Sequence, residues 1–124
     1  MYGLVREDLA LSPAVDFLYE YVARHNEGVR SGEWEALAEC FADDAVLEFE
    51  GVSVGPFAGR DAIAAAYRTR PPGDEVRILD AGEQGDAVIG RYAWSVAPEV
   101  QAGRLLLTRD GDKITRLVVT FGEE

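Results

Sequence analysis

The second half of the chain constrains the fold most. From residue 76 onward four segments, 76–81, 87–97, 102–108 and 114–121, are rich in apolar and β-branched residues, and Gln84-Gly85 and Asp110-Gly111 supply tight turns between them. Strands joined by such turns run antiparallel, and an antiparallel sheet needs something to cover at least one of its faces. That cover has to come from the first half.

Residues 13–30 supply it. Ser12 is placed to cap a helix whose first position is Pro13, where the missing N–H costs nothing. Val15, Leu18, Val22, His25 and Val29 recur at three- and four-residue steps, Phe17 and Tyr21 widen the stripe, and Gly32 suits a left-handed C-terminal cap. A second, shorter helix is expected over 33–41, with Trp34, Leu37, Ala38 and Phe41 on one side. Residues 45–50 then alternate, Ala45, Leu47 and Phe49 against Val46, Glu48 and Glu50, as a strand with one wet face does. After the glycine-rich turn 51–59, strong helix formers over 60–67 predict a third helix, which Pro71-Pro72-Gly73 ends. The order is helix, helix, strand, helix and four strands, without βαβ alternation. It predicts one α+β domain over 1–124, with an ordered core at about 13–121, in which the helices are segregated from a meandering sheet.

Composition narrows the partners. Twelve basic against 23 acidic residues leave a formal charge of -11, which repels phosphate backbones and acidic membranes, so neither nucleic acid nor membrane is expected. No apolar run approaches the roughly 18 residues of a membrane helix. Arg6, Glu7 and Asp8 interrupt any signal-peptide pattern, and a cytoplasmic location is expected. Cys40 is the single cysteine, and between Glu35 and Glu39 it reads as a small apolar side chain rather than a nucleophile. The cysteine count, the single histidine and the scattered glycines imply no metal site and no organic cofactor.

The element order, together with Gly32-Glu-Trp-Glu-Ala36, Phe41-Ala-Asp-Asp-Ala45 and Gly59-Arg-Asp-Ala-Ile63, closely resembles the nuclear transport factor 2-like (cystatin-like) superfamily, which includes ketosteroid isomerases and SnoaL-like polyketide cyclases. The resemblance runs from about Val15 to Phe121. It implies a cone-shaped domain, a pocket between the concave sheet and the first helices, and homodimers through the outer sheet face. Fold does not carry function, because isomerases, cyclases, hydrolases and proteins without chemistry share it. The isomerase positions depart from that enzyme here: His25 stands for the tyrosine donor, Phe49 for the aspartate base and Arg104 for the protonated acid.

His25, on the apolar stripe, is the candidate acid or base, although the same placement suits a core histidine with one satisfied hydrogen bond. Arg104 is the candidate anchor for a carboxylate or enolate if its row with Ala102, Leu106 and Thr108 faces the pocket, and a surface charge if the register shifts by one. Glu48 and Glu50 alternate with Phe49 and are expected on a solvent or dimer face. Trp34, Phe49, Tyr67, Tyr92, Trp94 and Phe121 together provide more aromatic surface than a small core requires, and are the expected pocket walls. The expected ligand is a mostly apolar small molecule bearing a carbonyl or carboxylate, handled by cofactor-free isomerase, cyclase or hydrolase chemistry. The alternatives are a non-catalytic carrier or sensor, and a dimer that works through an outer row of Val46, Leu105, Leu107 and Val118.

Overall fold

The structure, a computed structural model, describes residues 13–122. Ser12, the expected cap, lies outside them. Helix α1 (Pro13–Ser31) buries Val15, Leu18, Tyr21, Val22, His25 and Gly28, the stripe its spacing predicts. Gly32, at φ 78°, turns the chain out of the helix and donates its N–H to the Gly28 carbonyl at 2.8 Å. Helix α2 (Glu35–Ala38) is a single turn, shorter than expected. Phe41 leaves it for the sheet, where it pairs with Ile114 and is completely buried, so a tertiary ladder overrides local helix preference. Helix α3 (Arg60–Thr69) runs two residues past its expected end and stops before Pro71.

Six strands complete the fold: β1 (Phe41–Phe49), β2 (Phe57–Ala58), β3 (Val76–Gln84), β4 (Ala87–Trp94), β5 (Gly103–Asp110) and β6 (Lys113–Phe121). Their order is β2-β1-β6-β5-β4-β3. Every neighbouring pair is antiparallel except β1 with β6, which is parallel, so the sheet is mixed. Gly85 and Gly111 adopt φ of 59° and 62° in the two hairpin turns, a conformation glycine enters without steric cost. Register shifts between Ile78 and Asp80, between Thr108 and Arg109, and between Phe41 and Val46 bend the strands and curve the sheet around α1.

The register decides which row of β5 faces inward. Leu105 sits between Gly90 and Val119, and Leu107 between Val88 and Leu117, and the two leucines are 4% and 1% exposed. The expected outer row is therefore corrected: Leu105 and Leu107 belong to the concave face, while Leu106 and Arg104 take the convex one. The reason is that β5 starts at Gly103, paired with Tyr92 and Phe121, and every second residue from there points inward.

Two glycines allow the layers to meet. On β4, Gly90 lies under Leu18, and a Cβ there would press on the leucine methyl. On α1, Gly28 lies against the Trp34 indole, and a Cβ would overlap its six-membered ring. Trp34 is 3% exposed and stacks on Tyr67 at 5.1 Å between centroids, so it has nowhere to retreat. Gly28→Ala should therefore destabilise the protein by roughly 1–3 kcal/mol through overpacking, although alanine is the better helix former by about 1 kcal/mol. Denaturant melts read the sign directly, and a stabilised variant would show that the indole is free to move.

Candidate functional site

Between α1, α3 and the concave face lies a cavity of about 300 Å³. Leu47 and Phe49 of β1, Tyr92 and Trp94 of β4, Leu105 of β5, and Val119 and Phe121 of β6 form its sheet wall. Val54, from the segment leading into β2, and Phe57, the first residue of β2, close one side, and Phe57 meets Phe49 edge to face at 6.4 Å. Phe121, 47% exposed, stacks beside Phe49 at 6.4 Å. Tyr21 and His25 of α1, and Ala66 and Tyr67 of α3, line the helical side, and Arg70, Pro72 and Val76 complete the lining. The walls are mostly hydrocarbon, with few polar groups among them, the usual character of a site for an organic ligand.

One arrangement orients His25. The side chain of the next residue, Asn26, donates through Nδ2 to the Val76 carbonyl at 2.8 Å and accepts the Val76 N–H on Oδ1 at 2.8 Å. These two bonds fix which end of the amide is the oxygen. That oxygen lies 3.0 Å from His25 Nδ1, so the ring nitrogen has to donate and the neutral imidazole carries its hydrogen on Nδ1. Nε2 is left as a lone-pair acceptor, and no described residue bonds to it. Burial holds the His25 pKa below its ordinary 6.5, only partly offset by the Asn26 bond and the Glu75 charge, so the ring is neutral at pH 7.

The second polar group is a pair of phenols. The hydroxyls of Tyr21 and Tyr67 are 2.8 Å apart. One donates to the other, and the hydrogen of the second has no acceptor among the described residues. Burial raises both pKa values, that of Tyr67 to about 12, and likewise lifts Tyr92 to about 12. All three therefore remain protonated donors at neutral pH. The Tyr92 hydroxyl has only a long contact, 3.4 Å, to the Thr120 carbonyl. A base nitrogen and a free O–H donor thus share one apolar cavity, which is the equipment for moving a proton next to a carbonyl.

Of the residues singled out from sequence, His25, Phe49, Tyr67, Tyr92, Trp94 and Phe121 meet at the cavity. Trp34 does not line it. The indole stands behind, stacked on Tyr67 and edge-on to His25 at 6.2 Å, and so holds both rings in place. Arg104 is exposed on the convex face, opposite the cavity, because the β5 register places Leu105 inward. Glu48 also lies on that face, in an ion pair with Arg116 at 2.6 Å. Sequence reasoning missed Tyr21 as a hydroxyl partner, although its place on the α1 stripe was visible. It also missed Arg70, whose signal is its spacing of three from Tyr67 and four from Ala66.

The buried histidine has a measurable consequence. Between its depressed folded pKa and its ordinary 6.5, the unfolded chain binds a proton that the native state refuses. Stability from this group is therefore complete above 6.5, falls as pH falls below it, and stops falling once pH passes below the folded value. Melts from about pH 7.5 to about pH 5 should show the stability difference, wild type minus His25→Phe, shrinking with acid. A difference independent of pH would mean that the imidazole is not held neutral by burial.

Comparison with known proteins agrees with the fold. The sequence model of the SnoaL-like domain matches residues 22–120. No curated protein matches the chain. Among solved structures, a protein from Sphaerobacter thermophilus superposes with a TM-score of 0.64 at 25% identity, covering 90% of this chain and 97% of that one. An NTF2-like protein from Anabaena variabilis ATCC 29413 gives 0.67 at 12% identity, covering 90% of each chain. A candidate ketosteroid isomerase from Kribbella flavida DSM 17836 gives 0.60 at 15% identity, covering 88% of this chain and 80% of that one. The two lower identities show a shared fold alone, while the family match spans most of the chain: this protein belongs to the SnoaL-like domain family and has the nuclear transport factor 2-like fold.

Proposed function

We propose that the cavity binds a small, mostly apolar molecule bearing a carbonyl or carboxylate, and that the protein acts on it by acid/base chemistry without a bound cofactor. The observation that carries this reading is the His25–Asn26 bond. It leaves Nε2 unprotonated and unpartnered on a residue that lines a cavity with apolar walls. In the simplest step, Nε2 takes a proton from the carbon next to a ligand carbonyl. The electron pair moves onto the carbonyl oxygen, and the free O–H of the tyrosine pair stabilises the enolate that forms. Where a carbon–carbon double bond is conjugated with the enolate, returning the proton to the far end of that bond gives an isomerisation. Where the enolate carbon attacks a second carbonyl, the alkoxide that forms takes the proton back from His25 and the result is a cyclisation.

The experiment follows that first step. In D2O, the α-hydrogens of a bound aryl ketone such as 4-oxo-4-phenylbutanoate should exchange for deuterium faster with wild type than in buffer, as read by proton NMR. His25→Phe, which fills similar volume, should lower the protein-catalysed rate by about 10²–10⁴, the usual worth of a positioned base. Tyr67→Phe, which removes one hydroxyl of the pair, should lower it by a smaller factor. Equal exchange by wild type and His25→Phe would sink the catalytic role. A carrier or sensor without chemistry is the second reading, favoured by the absence of any Asp or Glu among the described residues lining the cavity. Tight ligand binding with no exchange would establish it.

We also propose that two copies pair through the convex face. Val46, Ile89 and Leu106 lie there half-buried, while Val118, between Leu106 and Glu48 in the ladder, is already buried at 3% exposure and adds little area to cover. Covering such a row gains about 25 cal/mol for each Å² of apolar area removed from water. Sedimentation should show a dimer at micromolar concentrations that Leu106→Asp converts to monomer. A monomeric wild type would exclude this pairing.

A further inference from the structure

We infer that Arg70 anchors a ligand carboxylate at the cavity, so that the ligand is an apolar acid with its reacting carbonyl at the opposite, buried end. This deepens the reading above and rests on it. Among the described residues lining the cavity, Arg70 is the one that carries a formal charge at pH 7, and the charge is positive in a chain whose net charge is -11. An anion approaching such a chain meets net repulsion, and a cation at the cavity is what would reverse it locally.

The other cations of the structure are mostly engaged. Arg24, Arg30, Arg60, Arg91 and Arg116 hold carboxylates, while Arg77, Arg109 and Lys113 bond to carbonyl oxygens. Among the described residues, Arg68, Arg70 and Arg104 have side chains without a hydrogen bond or ion pair, and only Arg70 of these lines the cavity. Its place is set by the backbone. The N–H of Arg70 still bonds to the Ala66 carbonyl at 2.9 Å, and Pro71 then forbids another helical turn. The guanidinium therefore leaves α3 just beyond Tyr67 and Ala66, which line the same cavity. Arg70 is exposed, whereas His25 is 6% exposed, so the charge belongs at the cavity entrance and the base at its floor. A cation at a helix C-terminus also favours the helix dipole, but Arg68 serves that purpose without facing the cavity. The volume of about 300 Å³ lies at the lower end of the range usual for small-molecule sites, room for one aromatic or alicyclic ring and a short chain. A keto acid with an apolar ring fits: carbonyl beside His25 and the tyrosine pair, carboxylate held by two parallel N–H···O bonds from Arg70.

The test uses 4-oxo-4-phenylbutanoate and its primary amide, the same shape with and without the charge, titrated by calorimetry into the full chain. Wild type should bind the acid about tenfold more tightly than the amide, the scale of a charge-assisted hydrogen bond partly screened by water. Arg70→Gln should abolish that preference while leaving amide affinity and melting temperature unchanged, and Arg104→Gln, the unpartnered arginine of the convex face, should keep it. Equal binding of acid and amide by wild type, or a preference that survives Arg70→Gln, overturns the anchor. Amide binding that is still lost in His25→Phe would in that case leave the cavity reading intact. If neither probe binds wild type, the cavity reading falls and the anchor falls with it.

Discussion

Two hydrogen bonds from one side chain, Asn26 to the backbone of Val76, tie the helical layer to the sheet. Val76 opens β3, an edge strand, and the amide occupies the position a neighbouring strand would otherwise take, satisfying both its N–H and its C=O. Arg30 and Glu75 reinforce the same junction with an ion pair at 2.8 Å. The carboxamide oxygen that accepts from Val76 also faces His25, so the bond that docks the helix also sets the protonation geometry of the ring. Architecture and candidate chemistry depend here on one carboxamide.

The cavity stays open because its surroundings are stiff. Trp34, wedged against Gly28, backs Tyr67 and His25, and Tyr67 is bonded to Tyr21. On the other side Phe49 touches both Phe57 and Phe121, and Tyr92 meets Trp94 edge to face at 5.6 Å. Flat rings locked against one another fill space less adaptably than leucines or methionines, and the curved sheet behind them cannot flatten without losing its ladders. The result is a void with few polar groups, among which the His25 ring and the hydroxyls of Tyr21 and Tyr67 are held by their neighbours.

Much of the fold was legible because periodicity reports directly on burial. The α1 stripe, the hairpin glycines and the inward pair Tyr92 and Trp94 all follow from spacing alone. What was not legible depended on pairing between distant strands. The loop 95–102 left the phase of β5 open, and with Leu105, Leu106 and Leu107 in a row, hydrophobicity could not choose which leucine faced in. Arg104 and Arg70 consequently exchanged places: the arginine expected inside is outside, and the one overlooked beside two prolines lines the cavity. Phe41 moved from helix to strand for a related reason, since its partner Ile114 lies far away in sequence.

The position of β6 bears on how the chain assembles. It lies inside the sheet between β1 and β5, pairing with both, yet it is synthesised after every other described strand. Until β6 emerges, β1 and β2 have no link through the sheet to the β3–β5 meander, and the apolar edges of β1 and β5 stand open to whatever strand meets them first. The final sheet contact to form is also the most central one, which makes this a topology of high contact order and slow to fold.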